Sequence, residues 1–430
     1  MTVESIVLKS VEEAEPELIA LLAALVRFET DNPPGHNEAS AQQWMAERMR
    51  ALGMEVDVFE PLAGRPNAVG VWRGGGAGRS VILNGHIDVA EVRQRGAWRR
   101  EPFDPVVEDR LMYGRGTADM KSALAAYLYV LGRLQAARVR LRGDVVVQSV
   151  MGEEAGEPGT EACTRRGYRA DFGIVGEATR ARQLLAAVGS MNLKITIRSA
   201  QTLHLHARRL AVHAGGGLEG ANCVEKMATR IVPALQELER DWAVFKRHPA
   251  IPPAQTLINP FAIGGGGNPF FLPDECTMDV IVLYLPGERC DDVRRQVEEQ
   301  IRRAAELDAW LRKHPPELVW DPPEHPVAFL PSDVDPTHPG VQALVETGRQ
   351  VLGAPLEIGG GGRGAICDSG WLAGGGTPTV VWGPGDVYWA HRVDERVNLD
   401  DVLAYARMLA LFLIRWCGVA VPAGTGQGGP

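Results

Sequence analysis

The sequence predicts an α/β protein in which a mixed, largely parallel sheet is flanked by helices, with an α+β domain inserted into it. Three observations support this prediction. Apolar strand-like runs alternate with amphipathic helical runs, the pattern changes near Gly189 and resumes near Val327, and short polar motifs follow several apolar runs. Strands that alternate with helices indicate a sheet covered on both faces. At 430 residues the chain is longer than one ordinary domain, so we expect two.

The first part of the chain supplies most of this sheet. One helical pattern covers residues 11–29 and ends before the breaker at 31–35 (Asp-Asn-Pro-Pro-Gly). A second covers residues 39–52 and ends at Gly53. We predict strands at 54–59, 68–72, 80–83, 144–150 and 172–175, and a helix at 120–136. After the insert, the same pattern returns with a helix at 339–352 and a buried strand at 377–382.

The insert has a different pattern. Residues 191–198 alternate apolar and polar side chains, which is typical of a half-exposed strand, and we expect this strand to offer a free edge to a second copy of the chain. The order strand 191–198, helix 220–238, strands 256–262 and 276–285, helix 291–314 and strand 317–320 is that of a ferredoxin-like fold. We therefore predict one discontinuous domain of residues 1–188 and 327–430, and an inserted domain of residues 189–326.

Composition and charge exclude several classes of partner. The net charge is −9 and lysines and arginines form no cluster, which argues against nucleic acid or an anionic membrane surface. The first ten residues lack the features of a secretory signal, and the apolar runs 18–26 and 409–413 are too short to span a bilayer. We expect a cytoplasmic protein. The six scattered cysteines indicate neither a zinc knuckle nor a disulfide framework.

Five short polar motifs carry the candidate chemistry. They are 84–88 (Asn-Gly-His-Ile-Asp), 116–121 (Gly-Thr-Ala-Asp-Met-Lys), 152–154 (Gly-Glu-Glu), 176–177 (Gly-Glu) and 383–385 (Gly-Pro-Gly) with His391. Because the carboxyl ends of parallel strands share one edge of a sheet, we expect these motifs to meet. Their carboxylates and two imidazoles suit two divalent cations, with zinc expected first and cobalt or manganese as alternatives, and leave one carboxylate as a base.

The residue types indicate which chemical role each side chain can have in the site. The Asp88 carboxylate can accept the proton of the imidazole nitrogen of His86 that faces away from a metal. Asp119 has two oxygens and can bridge two cations. Of the neighbours Glu153 and Glu154, one can bind metal while the other accepts a proton. Each residue alone has a simpler interpretation, for example Asp119 as a helix N-cap, so the hypothesis depends on their combination.

Taken together, the motifs resemble the metallopeptidase family that includes acetylornithine deacetylase, succinyl-diaminopimelate desuccinylase, aminoacylase and glutamate carboxypeptidase. The resemblance extends from residues 31–35 to about Leu413. It implies a catalytic domain with a dinuclear zinc or cobalt centre and a ferredoxin-like lid domain that also forms a homodimer. By position, it implies terminal metal ligands at His86, Glu154, Glu177 and His391, a bridging ligand at Asp119, a partner for His86 at Asp88, and a general acid/base at Glu153.

The resemblance also implies a reaction and a substrate site. It implies hydrolysis of the amide bond of a small N-acyl amino acid or related amide, in which Glu153 takes a proton from a metal-bridging water. The family stabilises the oxyanion with a lid histidine, usually from the partner subunit. Three histidines compete for this role here; His204 is our first choice, His213 our second, and His206 is expected to be a bystander.

Further residues and other functions remain open from the sequence. Asn259 and Asn268 resemble residues that line the substrate cleft, and Arg363 resembles one that grips a substrate carboxylate. Within the same class, the chain could be a dipeptidase, a carboxypeptidase, or an amidase of carbamoyl or xenobiotic amides. Outside it, the alternatives are a non-catalytic metal-binding protein and a cysteine hydrolase that uses Cys367 as its nucleophile.

Overall fold

A computed structural model describes residues 2–35, 37–207, 220–323, 329–359 and 365–420. The chain divides into two compact units, which we describe separately. The first unit comprises Met1–Ala187, Ser332–Gly361 and Cys367–Pro430, and the second comprises Val188–Pro331 and Gly362–Ile366. The short segment near Ala365 joins the second unit because Val188 N–H donates to the Ala365 carbonyl at 2.9 Å.

The strands of the described residues are numbered in chain order. They are β1 (Asp31–Asn32), β2 (Glu55–Leu62), β3 (Arg65–Trp72), β4 (Val81–His86), β5 (Val89–Ala90), β6 (Val106–Glu108), β7 (Leu111–Tyr113), β8 (Val145–Val150), β9 (Gly173–Val175), β10 (Ala186–Ala187), β11 (Gly189–Arg198), β12 (Ile258–Gly265), β13 (Glu275–Tyr284), β14 (Glu317–Trp320), β15 (Ser332–Asp333), β16 (Thr379–Val381) and β17 (Arg396–Asn398).

The helices are numbered in the same way. They are α1 (Val3–Glu13), α2 (Glu15–Val26), α3 (Glu38–Ala51), α4 (Lys121–Ala136), α5 (Gly159–Arg165), α6 (Cys223–Lys226), α7 (Val232–Phe245), α8 (Cys290–Glu306), α9 (Pro339–Leu352), α10 (Ser369–Gly374) and α11 (Leu399–Cys417). A π-helical turn, Met227–Ile231, joins α6 to α7. None of the helices in the described ranges has the length and apolar character that crossing a membrane requires.

The first unit is built on a six-stranded sheet with the order β16-β9-β4-β8-β3-β2. Neighbours from β16 to β8 run parallel, whereas β3 and β2 each run antiparallel to the strand before them in that order. The inner strands β4 and β8 are buried along their whole length, as expected for strands covered on both faces. The prediction of an α/β protein with a mixed sheet flanked by helices is therefore confirmed.

Two glycines, Gly85 and Gly176, leave room for helix α4 and the residue before it to pack against the ends of the inner strands. A Cβ on Gly85 of β4 would lie 2.7 Å from Met120 Cε, and one on Gly176 would lie 2.5 Å from Ala123 Cβ. Side chains there would push the helix away from the sheet. The amino end of α4 is thus held near the carboxyl ends of β4 and β9, which fixes the position of the residues that precede it.

A small sheet beside the main one joins distant parts of the chain. It has the order β17-β7-β6 and is antiparallel throughout, with Arg396 of β17 opposite Tyr113 of β7. This pairing brings the segment after His391 next to the segment that leads to Asp119. Two further pairs, β1 with β5 and β10 with β15, complete the strands of the first unit.

The second unit has a four-stranded antiparallel sheet with the order β12-β13-β11-β14. Its chain order, with α6 and α7 after β11 and α8 after β13, is that of a ferredoxin-like unit. Alternate side chains of β11, such as Leu193 and Ile195, share an apolar core with Val297 and Ile301 of α8.

The expectation that residues 191–198 present a free edge is wrong. Strand β11 pairs with β13 along its whole length on one side and with β14 from Leu193 to Thr196 on the other, so it is an inner strand of this sheet. The strands at the edges of this sheet are β12 and β14. Alternation of apolar and polar side chains shows which face of a strand is buried, but it carries no information about lateral neighbours.

Two predicted helices also differ from the structure. The single helix expected at 11–29 is two helices, α1 and α2, with Pro16 in the first turn of α2. Proline lacks an N–H and is favoured in that turn, so it marks a new start. The helix expected at 291–314 ends at Glu306, and Asp308 then accepts the N–H groups of Trp310 and Leu311 in a separate turn.

We predict that Leu83→Ala strongly destabilises the first unit. Leu83 is fully buried in β4, between β9 and β8, and truncation of such a side chain costs about 2–5 kcal/mol of unfolding free energy. Denaturant unfolding would measure this loss. The matched control is Leu62→Ala, which removes the same group from an exposed end of the edge strand β2 and is expected to cost about 0.5 kcal/mol or less. Equal losses in both variants would contradict the central position of β4.

Candidate active site

Three of the polar motifs meet at the carboxyl edge of the six-stranded sheet. His86 is the last residue of β4, Glu153 and Glu154 lie in a 3₁₀ turn just after β8, and Glu177 follows β9. Because β9, β4 and β8 are adjacent and parallel, their ends converge. His86 Nε2 lies 3.6 Å from Glu177 Oε1 and 3.9 Å from Glu153 Oε2.

Asp119 lies between the two candidate histidine ligands. Its Oδ1 is 3.2 Å from His86 Nε2, and its Oδ2 is 3.2 Å from His391 Nε2. The two oxygens of one carboxylate therefore face two different imidazoles. On the far side, His391 Nε2 lies 2.9 Å from Glu154 Oε2. The arrangement has one donor cluster around His86 and Glu177 and another around His391 and Glu154, with Asp119 between them.

Side-chain atoms in this region are close enough to share a cation. Donor atoms of His86, Glu153 and Glu177 lie within 4.8 Å of one another, and so do donor atoms of His86, Asp119 and Glu154. The structure thus brings together all five residues that the sequence assigned as metal ligands, and places Glu153 beside them.

The electrostatics of the cluster favour positive charge. Burial raises the pKa of Glu153 and of Glu177 well above the usual range, and neighbouring carboxylates add to the effect. Burial also opposes ionisation of Asp119, but hydrogen bonds with His391 and His86 lower its pKa below the usual range. Hydrogen bonds with Asp119 and Glu154 raise the pKa of His391 to about 10. The carboxylates therefore stabilise cations, whether protons on the imidazoles or metal ions in their place.

The donor set fits two divalent metal ions. Glu177 Oε1 is buried and has no hydrogen-bond partner among the described residues, although it lies 3.6 Å from His86 Nε2. A buried carboxylate oxygen is costly to leave unpaired, and a cation between these atoms would satisfy it. Imidazole nitrogens mixed with carboxylate oxygens suit zinc, cobalt or manganese better than calcium or magnesium.

Asp88 contacts the site in a way that differs from the sequence expectation. The closest partner of His86 Nδ1 is the main-chain carbonyl of Asp88, at 2.9 Å, whereas the carboxylate Oδ1 is 3.7 Å away. The carboxylate instead accepts the main-chain N–H groups of Glu153 at 3.2 Å and of Glu154 at 3.0 Å. Asp88 thus holds the imidazole with its main chain and the two glutamates with its side chain.

A buried polar network behind Asp88 escaped the sequence analysis. Asn32 Nδ2 donates to Asp88 Oδ2 at 2.9 Å and to Glu157 Oε2 at 3.0 Å. Glu157 in turn accepts from Arg65, which also donates to both carboxylate oxygens of Glu38. The motif at 31–35 was interpreted mainly as a helix breaker. The available signal was a polar Asn within it, and nothing local in the sequence links Asn32 to Glu157 or Arg65.

The other predicted site residues belong to the second unit or lie outside the described residues. His204, Asn259 and Asn268 belong to the second unit. His204 is exposed, and its ring stacks on that of His206 with centroids 4.7 Å apart. Asn259 lies in β12, and Asn268 lies between β12 and β13. His213 and Arg363 lie outside the described residues, so their predicted roles rest on sequence alone.

The thiol of Cys367 is a poor candidate nucleophile. It is 1% exposed, its Sγ lies 3.4 Å from Ser369 Oγ, and burial raises its pKa well above the usual range. A nucleophilic cysteine needs the opposite, an accessible thiol with a lowered pKa. The structure therefore gives no support to the cysteine hydrolase that the sequence left open.

Comparison with known proteins agrees with this geometry. The sequence pattern of peptidase family M20/M25/M40 matches residues 82–415. The chain is 38% identical over 417 residues to N-formyl-4-amino-5-aminomethyl-2-methylpyrimidine deformylase of Bacillus subtilis, covering 95% of this chain and 96% of the relative. It is 28% identical over 416 residues to succinyl-diaminopimelate desuccinylase of Alkalilimnicola ehrlichii, covering 94% and 100%. Among solved structures, an M20 family metallo-carboxypeptidase of Sulfolobus solfataricus aligns with a TM-score of 0.71 at 18% identity, covering 92% and 98%.

The fold and the site together define a hydrolase of the metallopeptidase class. The chain belongs to peptidase family M20/M25/M40, because the family pattern covers most of it and a relative at 38% identity matches nearly its whole length. The resemblance seen in the sequence is thereby confirmed at the level of the family, as is the prediction of an enzyme that hydrolyses amide bonds.

We predict that Asp88→Asn lowers kcat for amide hydrolysis by about 10–100-fold, the usual range for residues that orient metal ligands. The three groups that contact its carboxylate, two main-chain N–H groups and the Asn32 amide, are all donors. Asparagine keeps one acceptor oxygen and turns an NH₂ group towards a donor. The matched control is Asp57→Asn, whose carboxylate accepts from Arg166 and Tyr168 away from the site. Equal kcat values in the two variants would contradict this role for Asp88.

Proposed function

We propose that the protein is a metal-dependent amidohydrolase that holds two divalent cations, with zinc expected first and cobalt or manganese as alternatives. The observation that carries the proposal is the position of Asp119, whose two oxygens each lie 3.2 Å from a different imidazole. In this proposal His86 and Glu177 hold one cation, Glu154 and His391 hold the other, and Asp119 bridges them. When bound, such cations polarise a carbonyl and activate water.

Glu153 is the proposed general acid/base. It lies beside the ligand cluster, 3.9 Å from His86 Nε2, and its main-chain N–H is anchored by Asp88. Its carboxylate accepts a proton from the attacking water and later gives it to the leaving amine nitrogen, so the same group serves both halves of the reaction. Burial supports this role because it raises the pKa of Glu153 well above its usual range, which makes the carboxylate a stronger base.

We propose a small N-acyl amide as the substrate class, with an N-formyl amide of an aminomethyl-substituted aromatic amine as the leading candidate. The support is the 38% identity, over almost the full length of both chains, to a protein named as a deformylase of such a compound. The desuccinylase relative, at 28% identity, supports the broader class of N-acyl amides. An N-acyl amino acid of the acetylornithine type is therefore a less favoured substrate than the formyl amide.

The proposed function is tested by metal counting and a substrate panel. We expect two metal ions per chain by elemental analysis, and release of amine from N-formyl-4-amino-5-aminomethyl-2-methylpyrimidine in preference to N-succinyl-diaminopimelate and N-acetylornithine. Chelation should abolish activity. Glu153→Gln should keep both metals but lower kcat by about 10²–10⁴-fold, the usual contribution of a general base. The control is Glu47→Gln on the exposed face of α3.

Three outcomes would separate the alternatives. A metal-free chain that remains fully active would overturn the metal-dependent mechanism. Preference for the succinyl substrate would overturn the formyl assignment while leaving the amidohydrolase intact. Two bound metals without turnover on any of the three amides would overturn the substrate class and leave a dipeptidase or an amidase of other compounds.

We further propose that the second unit is a lid that also forms a homodimer, and that His204 serves the active site of the partner subunit. His204 is exposed on this unit. The edge strand β12 carries the exposed apolar side chains Phe261 and Ile263. An exposed apolar edge strand is suited to pairing with another chain. Strand β12 thus replaces β11 as the proposed pairing edge.

Mixing two inactive variants tests both parts of this proposal. His204→Ala and Glu153→Ala should each be inactive alone. After unfolding and refolding together in equal amounts, they should recover about a quarter of the unaltered activity, because half of the two-fold symmetric dimers are mixed and each of those has one intact site. If the mixture recovers no activity and light scattering shows a monomer, the proposal that the histidine is donated between subunits is contradicted. The same mixing with His206→Ala is the control, and that variant alone should stay active.

A further inference from the structure

An ion pair buried beside the proposed metal centre is formed by Arg115 and Glu395. Arg115 Nη1 donates to Glu395 Oε2 at 2.6 Å, and the two side chains are 3% and 0% exposed. The small sheet brings them together, since Arg115 lies just after β7 and Glu395 just before β17, and these strands pair. No local feature of the sequence links Arg115 to Glu395.

The second oxygen of Glu395 organises the turn that carries Asp119. Glu395 Oε1 accepts the main-chain N–H groups of Gly116 at 3.0 Å, Ala118 at 2.9 Å and Asp119 at 3.1 Å. Successive N–H groups that converge on one anion form an anion-binding concavity in the backbone. Gly116 allows the turn because its φ is +86°, and a Cβ there would lie 2.7 Å from Val89 Cγ1. The carboxylate thus fixes the peptide from which the Asp119 side chain projects.

Arg115 contacts the segment that carries the other histidine. Its Nη2 donates to the main-chain carbonyl of His391 and its Nη1 to that of Arg392, both at 3.4 Å. A single ion pair therefore touches the backbone of two candidate ligands that are far apart in sequence. Through Glu395 it holds Asp119, and through Arg115 it holds His391.

The Arg115–Glu395 pair is important because the candidate metal ligands must keep their positions relative to one another. Asp119 can face both imidazoles only if its peptide, His86 and His391 keep their relative positions, and His391 does not belong to the six-stranded sheet. A buried ion pair is weak evidence for stability, because desolvation of the two charges offsets much of their attraction. Fixing the relative position of two ligand-bearing segments is a different role, and it requires the directional contacts observed here.

We propose that Arg115 and Glu395 are positioning residues that fix the proposed metal ligands Asp119 and His391 relative to each other, so that both would be placed to hold metal ions. This inference rests on the metal centre of the proposed function. Neither side chain is assigned as a metal ligand, and the contacts described above reach Asp119 and His391 through their main-chain atoms. Loss of the pair is therefore expected to weaken metal binding, whereas the ligand side chains themselves remain present.

The test compares Glu395→Gln with the double variant Arg115→Met/Glu395→Gln. The single variant leaves a buried guanidinium without its carboxylate and should lose both stability and metal affinity. The double variant removes both charges, so its metal-free form should regain thermal stability. Its zinc affinity, measured by competition with a chromophoric chelator, should remain about 10–100-fold weaker than that of the unaltered chain, as for other residues that orient metal ligands. The control is Asp394→Asn, whose carboxylate accepts from the exposed Arg99.

The inference is decided by whether thermal stability and zinc affinity change independently in the double variant. If zinc affinity returns together with stability in the double variant, or matches that of Asp394→Asn, the pair is only structural and the inference is overturned. If the single variant does not fold, the double variant gives the same decision. An unaltered chain that binds no zinc would overturn the proposed function as well. A chain that binds zinc but hydrolyses none of the amides would overturn only the function, because affinity is measured without turnover.

Discussion

The collection of several carboxyl groups in one buried place is the constraint on which this structure depends. Parallel pairing of β9, β4 and β8 brings Glu177, His86 and the pair Glu153 and Glu154 to one edge of the sheet. Such groups repel one another and lose hydration, so the arrangement persists only when positive charge accompanies it. The contacts around the cluster hold the backbone that carries these groups in place.

Main-chain N–H groups supply much of that support. The carboxylates of Asp88 and Glu395 accept main-chain N–H groups from the segments that carry the proposed ligands. Each supporting carboxylate has its own polar partner, Asn32 for Asp88 and Arg115 for Glu395. Asp88 and Glu395 therefore stabilise the backbone of the site through similar contacts. Because the support acts on backbone rather than on side chains, the ligand oxygens remain available to a cation.

Local patterns in the sequence were sufficient to predict the residues that form the cluster. Each of His86, Glu153 and Glu177 follows an apolar run, and the ends of neighbouring parallel strands must converge. The supporting contacts could not be predicted in this way. Glu395 and Gly116 are far apart in the chain, and a single acidic residue in a loop has no local feature that distinguishes it from a solvated one. Strand β11 illustrates the same limit, since its alternation identified the buried face but not its two lateral partners.

The interrupted course of the chain also orders the assembly of the site during synthesis. Four of the five proposed ligands, His86, Asp119, Glu154 and Glu177, precede the second unit, and His391 follows it. Domains generally fold as units as the chain emerges from the ribosome, with the amino-terminal part first. The ribosome must therefore complete the second unit before His391 and Glu395 can join the residues of the proposed site that precede it. A nascent chain that stops before His391 offers only four of the five proposed donors.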